Sequence, residues 1–203
     1  MTTDRFIQTI ILNTKLGAQN RGEYLKKIFC EVGENVYYQP RRLPLYPELV
    51  KLHNNIMIAS NVSFITHDAI HVVLSGIAAR YNNYCFKEEI GCIEIMDNVF
   101  IGAGTGILYG SMIGTNVIVG AMSLVNKDLP SNGVYAGVPA KYICSFDSFV
   151  SKKMATGRSL IEKNQNLSEE EMHSAWELFY KKRNDKPLLK WPTCTRSSTQ
   201  VNE

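Results

Sequence analysis

Between Ile95 and Val125 an aliphatic residue returns at every sixth position: Ile95, Ile101, Ile107, Ile113, Val119 and Val125. A second series runs two residues earlier, through Ile93, Val99, Thr105, Ser111, Val117 and Ser123, and Gly102, Gly114 and Gly120 directly follow three members of the first. A helix drifts out of phase with a period of six, and a plain strand alternates every two residues. The pattern instead predicts a short flat strand followed by a tight turn. Three such units make a triangular coil of about eighteen residues, in which each inward side chain stacks on its counterpart one coil away. The turns call for positive φ, which Gly and Asn adopt at little cost. Asn stands before an aliphatic in Asn35-Val36, Asn55-Ile56, Asn61-Val62, Asn98-Val99 and Asn116-Val117.

Upstream, Leu52, Ile58 and Phe64 also step by six, with Ile56 and Val62 two behind the last two. The phase stops at about Asp68 and resumes near Cys92, so residues 69–91 read as an excursion from the repeat. Such loops on repeat scaffolds usually carry function. Irregular early rungs are expected around Pro40, Pro44 and Pro47. At the N-terminus Phe6, Ile7, Ile10 and Ile11, then Tyr24, Leu25 and Ile28, have helical spacing and predict a cap over one end of the repeat. Near the C-terminus Ser168-Glu169-Glu170-Glu171 is a capping-box start, after which Met172, Ala175, Trp176 and Phe179 share one helical face and read as core. The stretch 193–203 is polar and reads as mobile. The expected organisation is a helical cap over 1–30, a β-solenoid over 31–144, and a helical extension with its tail over 145–203.

Composition narrows the function classes. A hydrophobic fraction of 45% and a charged fraction of 20% are those of an ordinary globular protein. No apolar run is long enough to span a bilayer, and the start carries Asp4 early with no small-residue cleavage site. Cys30, Cys85, Cys92, Cys144 and Cys194 form no CxxC pair and are odd in number, which predicts free thiols and a reducing cytoplasm. The net charge of +3 is spread in small groups such as Lys152-Lys153 and Lys181-Lys182-Arg183, without the dense aromatic-laced stripe of a nucleic-acid surface.

Two features point to chemistry. Phe64-Ile65-Thr66-His67-Asp68 falls where the repeat breaks, and an imidazole there can accept a hydroxyl proton near neutral pH. The second is the ending VNKDLPSNGVYAGVPAKYI. With the hexads, these motifs resemble the hexapeptide-repeat acyltransferases that use acetyl-coenzyme A, nearest to the branch acting on surface polysaccharides. Galactoside, maltose and antibiotic acetyltransferases are broader relatives. The resemblance covers about residues 31–144. It implies a left-handed parallel β-helix, an exception to the right-handed crossover rule, and a homotrimer with active sites between subunits.

The resemblance also implies roles. His67 matches the general base, and Asp68 beside it completes the polysaccharide-branch motif. Adjacent side chains in an extended segment point apart, so Asp68 itself reads as a turn hydrogen-bonder rather than a relay. Matching instead the antibiotic-acetylating relatives without a gap from Phe64 selects His71 as the base. Ala103 and Ala121 match the small residues along the pantetheine arm. Asn126 and Lys127 match positions near the pantetheine and phosphate end, and Lys141 a basic position for the nucleotide phosphates. Cys144 stands where some relatives carry a further basic residue. Tyr81 and Tyr84, flanking Asn82-Asn83, form an aromatic-polar cluster suited to a sugar face.

The implied reaction is acetyl transfer to a sugar hydroxyl of a polysaccharide or its precursor, with no metal. N-acetylation of an amino-sugar nucleotide or antibiotic, or a non-catalytic solenoid, are the alternatives. A zinc site on His53, His67 and His71, as in trimeric β-helical carbonic anhydrases, would need a spacing that these residues do not have. His53 otherwise reads as a turn residue, and His173 as an exposed one.

Overall fold

The repeat reads directly into three sheets. The computed structural model describes residues 3–156 and 168–181. The first sheet holds β1 (Glu31–Val32), β3 (Val50–Leu52), β6 (Ile93–Ile95) and β9 (Ser111–Ile113). The second holds β2 (Val36–Tyr38), β4 (Ile56–Ile58), β7 (Val99–Ile101), β10 (Val117–Val119), β12 (Gly133–Ala136) and β13 (Lys141–Ser145). The third holds β5 (Ser63–Ile65), β8 (Gly106–Leu108) and β11 (Leu124–Val125). The chain visits the sheets in rotation, and every ladder is parallel except that between β12 and β13.

Both hexad series point inward. Ile95, Ile101, Ile107, Ile113, Val119 and Val125 are fully buried, and Ile93, Val99, Thr105, Ser111, Val117 and Ser123 are buried beside them. Equivalent side chains stack coil upon coil, so no coil has a core of its own. In the regular stretch the repeat is 18 residues, as between Asn98 and Asn116. It is 20 residues in the first coil and 16 in the last. It is 43 where the excursion leaves, yet β3–β6, β4–β7 and β5–β8 all pair without a slip.

The corners carry the expected chemistry. All five asparagines have positive φ. At one corner they form a ladder: Asn55 Nδ2 donates to Asn98 Oδ1 (2.8 Å), Asn98 Nδ2 to Asn116 Oδ1 (3.0 Å), and Asn116 Nδ2 to Asn132 Oδ1 (2.9 Å). Asn61, Gly104 and Met122 occupy a second corner, Met122 being left-handed with φ 58°. A Cβ on Gly102 would lie 2.3 Å from the backbone nitrogen of Ala121, so the coils approach there only because glycine lacks one.

At the N-terminus, α1 (Thr3–Thr14) and α2 (Ala18–Leu25) precede the coil. α2 and the turn after it bury Leu25, Ile28 and Phe29 against the first coil, and Gly22 lets the helix backbone meet Val36. In α1 the expected inward stripe is turned out. Leu12 is buried, whereas Phe6, Ile7, Ile10 and Ile11 are exposed, Phe6 to 54%. The helix docks on Leu12 and on Asn13, whose side-chain amide donates to the Arg41 carbonyl (3.1 Å), so the opposite stripe faces away.

After the coil, β13 folds back antiparallel on β12 and leads into α4 (Phe146–Thr156). The repeat therefore ends at β12, before Cys144, which lies in β13.

The chain divides into two compact units, residues 1–155 and 156–203. In the second, α5 (Glu169–Lys181) begins with the predicted capping box. Ser168 N–H donates to Glu171 Oε2 (2.8 Å) and Glu171 N–H to Ser168 Oγ (3.2 Å). Its apolar stripe is not core: Met172, Trp176 and Phe179 are exposed, Trp176 to 43%. The aromatic rings pack on one another along the helix instead, Trp176 to Phe179 at 5.3 Å. Residues 182–203, with Cys194 and the expected tail, lie outside the described residues. No helix among the described residues is long and apolar enough to cross a membrane.

The close approach at Gly102 gives a direct test. Gly102→Ala is expected to cost about 1–3 kcal/mol by forcing the coils apart. Gly76→Ala, in open space at the end of the short helix that opens the excursion, should change stability by no more than about 1 kcal/mol. Urea denaturation of the two variants measures the difference, and equal midpoints would refute the packing account.

Candidate active site

One corner, where the chain leaves the third sheet for the first, gathers most of the chemistry. Thr66 and His67 follow β5, Tyr109 follows β8, and Asn126 and Lys127 follow β11. With coils about 4.8 Å apart, Lys127 stands roughly 10 Å along the coil axis from the level of His67. Tyr46, one coil below, joins the same stack through its backbone N–H, which donates to Thr66 Oγ1 (3.3 Å).

The excursion leaves and returns here. His67 pairs with Ile90 in an antiparallel bridge, Asp68 N–H donates to the Glu89 carbonyl (2.9 Å), and Gly91 N–H to the Thr66 carbonyl (3.0 Å). Between these ends the chain forms α3 (Ile70–Gly76) and one turn of 3-10 helix. Asp68 Oδ1 accepts from Ile70 N–H (3.1 Å), making the expected turn bond. Its Oδ2 accepts from the Tyr109 hydroxyl (2.8 Å), with Glu89 Oε2 3.3 Å from the same hydroxyl. The Asp68 carboxylate is thus held by a backbone amide and a phenol.

His67 is half-buried at the foot of the loop. Its ring meets that of Tyr46 edge-on, with centroids 5.7 Å apart, and the Tyr46 hydroxyl donates to Glu88 Oε2 (2.6 Å). That bond, first among the causes, raises the Tyr46 phenol above its usual range. Nδ1 of His67 is buried without a hydrogen-bond partner among the described residues, and so is Nδ1 of His71 on α3. Either imidazole therefore has a nitrogen unengaged by the chain.

The other candidates divide between two edges. Ala103 and Ala121 stack at the corner that enters the third sheet, with Met122 N–H donating to the Ala103 carbonyl (2.8 Å), and both are exposed. They sit across the sheet from His67. Gly137–Ala140 runs as a further turn over β11, with Leu124 N–H donating to the Gly137 carbonyl (3.0 Å) and Ala140 N–H to the Leu124 carbonyl (2.8 Å). This turn, with a cis peptide before Pro139, leads into β13, where exposed Lys141 pairs with Ala136 at the edge of the second sheet, so that Lys141 lies on the Ala103–Ala121 side and not beside Asn126 and Lys127. Tyr81 and Tyr84 both pack on Phe86, at 6.2 and 5.0 Å, and remain exposed.

His53 is more than a turn residue. Its Nε2 is 2.8 Å from Glu94 Oε1 on the next coil, at the far end of the first sheet, so it does not gather with His67 and His71. Among the described residues no group of three or more potential ligand side chains is placed to hold a metal ion. Sequence reasoning missed Tyr46, Tyr109, Glu88 and Glu89. Only Tyr109 had a signal, the one aromatic two residues past an inward aliphatic, where the other hexads place Asp97, Ala103, Thr115, Ala121 and Lys127.

Comparison with known proteins bears on what this corner does. The family described as bacterial transferase hexapeptide (six repeats) matches residues 93–127. Galactoside O-acetyltransferase of Lactococcus lactis is 31% identical over 67% of this chain and 70% of its own length. The crystal structure of a maltose O-acetyltransferase from Clostridium difficile superposes with a TM-score of 0.52 at 27% identity, over 70% of this chain and 84% of that one. A galactoside acetyltransferase in complex with coenzyme A shares the fold, with a TM-score of 0.53 at 23% identity over 81% and 87% of the two chains.

The Tyr109 phenol is pushed up to about 12, chiefly by its bond to Asp68. A phenol raised by folding contributes stability below its ordinary value near 10 and loses it as the pH climbs through the raised one. Ultraviolet titration should show an ionisation near pH 12 that Tyr109→Phe removes. An unchanged titration curve in that variant would count against the bond.

Proposed function

The chain belongs to the hexapeptide-repeat acetyltransferases and is an acyltransferase; from this premise we propose that it moves the acetyl group of acetyl-coenzyme A onto a sugar hydroxyl, with His67 as general base. The observation that carries the base assignment is His67 itself. It is half-buried where the excursion leaves the coil, has a buried unengaged Nδ1, and shares its corner with Asn126 and Lys127. His67 takes the proton of the acceptor hydroxyl as that oxygen attacks the thioester carbonyl. The tetrahedral oxyanion is stabilised by backbone N–H groups and collapses with cleavage of the C–S bond. The imidazolium returns its proton to the departing thiolate, leaving an acetylated sugar and coenzyme A.

Coenzyme A lies along the third sheet in this reading. Ala103 and Ala121, small and exposed, admit the pantetheine arm, and Asn126, Lys127 and Lys141 serve its phosphate end. Asp68 shapes the loop's foot, while His71, Tyr81 and Tyr84 face the acceptor. The acceptor is a sugar of a surface polysaccharide or its precursor. The Thr66-His67-Asp68 motif supports that choice, as do the sugar acetyltransferases among the relatives.

The active unit is a homotrimer of left-handed coils. Two observations support it. His67 and the Ala103–Ala121 corner lie at opposite edges of one sheet, so a neighbouring copy is needed to bring a base to a pantetheine arm. The outward side chains also differ between sheets: the first carries Glu31, Lys51 and Glu94 beside Met112, whereas the second carries Met57, Phe100 and Ile118 in register, with Phe100 41% exposed. Residues 31–144 form the catalytic body, 1–30 its cap and 145–203 an extension. Free thiols on exposed Cys30, Cys85 and Cys92 suit a reducing cytoplasm.

Thioester consumption with a panel of hydroxyl and amine sugars tests the reaction. His67→Ala should lose about 10²–10⁴-fold in rate, and full activity in it with loss in His71→Ala would transfer the base to His71. Acetyl-coenzyme A should raise the melting temperature, and less so in Lys141→Glu. No shift at all would favour a non-catalytic solenoid.

A further inference from the structure

Two tyrosines grip the foot of the excursion from opposite sides. Tyr46 comes from the coil below, and its hydroxyl reaches Glu88 on the returning arm at 2.6 Å. Tyr109 comes from the coil above, and its hydroxyl reaches Asp68 on the departing arm at 2.8 Å, with Glu89 on the returning arm 3.3 Å away. His67 lies between these two levels, and its one ring contact among the described residues is the edge-on meeting with Tyr46 at 5.7 Å. Its buried Nδ1 has no hydrogen bond within the described residues to fix the ring. The helix that follows, α3, buries none of its residues. What orients this imidazole must therefore act at the foot, where both arms are pinned.

We propose that Tyr46 and Tyr109 are positioning residues. Tyr46 holds the His67 ring through its own ring, which its bond to Glu88 keeps in place, and Tyr109 ties the two arms together so that the corner carrying His67 keeps its shape. A base misplaced by an ångström loses up to about a hundredfold in rate, so a clamp of this kind acts on turnover rather than on cofactor binding. The proposal rests on His67 being the base, and its test separates the two ideas.

The test uses the full-length enzyme with histidines labelled at Cε1 and followed by NMR, which needs no acceptor, alongside turnover of acetyl-coenzyme A with methyl β-galactoside. Tyr46→Phe keeps the ring and drops the Glu88 bond, whereas Tyr46→Leu drops both. The His67 resonance should move in the order Leu more than Phe, while those of His53 and His173 stay put. The rate should fall in the same order, by about tenfold or more in Tyr46→Leu, with KM for acetyl-coenzyme A unchanged.

Glu88→Gln, whose amide oxygen can still accept the bond, should behave as wild type, and Glu88→Ala as Tyr46→Phe. Tyr109→Phe should speed limited proteolysis within residues 69–89. A His67 resonance unmoved in Tyr46→Leu, or cleavage unchanged in Tyr109→Phe, overturns the clamp. If the resonance moves as expected but His67→Ala remains active, the clamp stands and the base assignment falls.

Discussion

Everything in this molecule depends on like stacking on like at a fixed offset. An inward isoleucine finds its partners in the coils before and after it, so the core is a set of columns rather than a cluster. A column tolerates no change of phase, because one residue of slip would turn every inward side chain outward. The corners enforce the phase: asparagines in left-handed conformation turn the chain, and their side-chain amides join one coil to the next. The glycine at 102 then allows the backbones to close to contact. Core, corner and close approach are three expressions of the same constraint.

The site inherits its geometry from that constraint. Residues separated by dozens of positions come to one edge because each leaves the same sheet at the same point of its own coil. Tyr46, His67, Tyr109 and Lys127 are neighbours for this reason. Lys127 and the proposed base are placed along an axis whose spacing is set by β-sheet hydrogen bonding, not by the side chains themselves. The scaffold thus fixes the spacing of these groups, and the excursion adds side chains that the repeat alone would not bring there.

What was legible in the sequence is what the columns and corners dictate. The two hexad series, the five asparagine turns and the place where phase is lost could all be read because each violates helix and strand periodicity in the same way. Asn132 escaped notice because glycine, not an aliphatic, follows it, and Met122 because nothing in methionine announces a left-handed turn. Outward positions were illegible for a physical reason: no stacking rule governs them. Tyr46 sits in the irregular coil of 20 residues and Tyr109 in an outward slot, so their partners Glu88 and Asp68 could be found only in space. The same freedom explains α1, whose apolar stripe marked it as amphipathic without saying which side would dock, and the face of α5, read as core but exposed. The bond between His53 and Glu94 crosses coils whose separation in sequence is inflated by the excursion.

That inflation has a consequence of its own. The strands on either side of residues 69–91 pair as though the insertion were not there, and its two arms meet in a short antiparallel bridge. The cost of closing a loop grows only slowly with its length, so the scaffold is nearly indifferent to how much chain is spliced in at this point. The coil behaves as a rack with one open bay. A chain of this kind can exchange the inserted module, lengthen it or reshape it, while the columns beneath it keep their register.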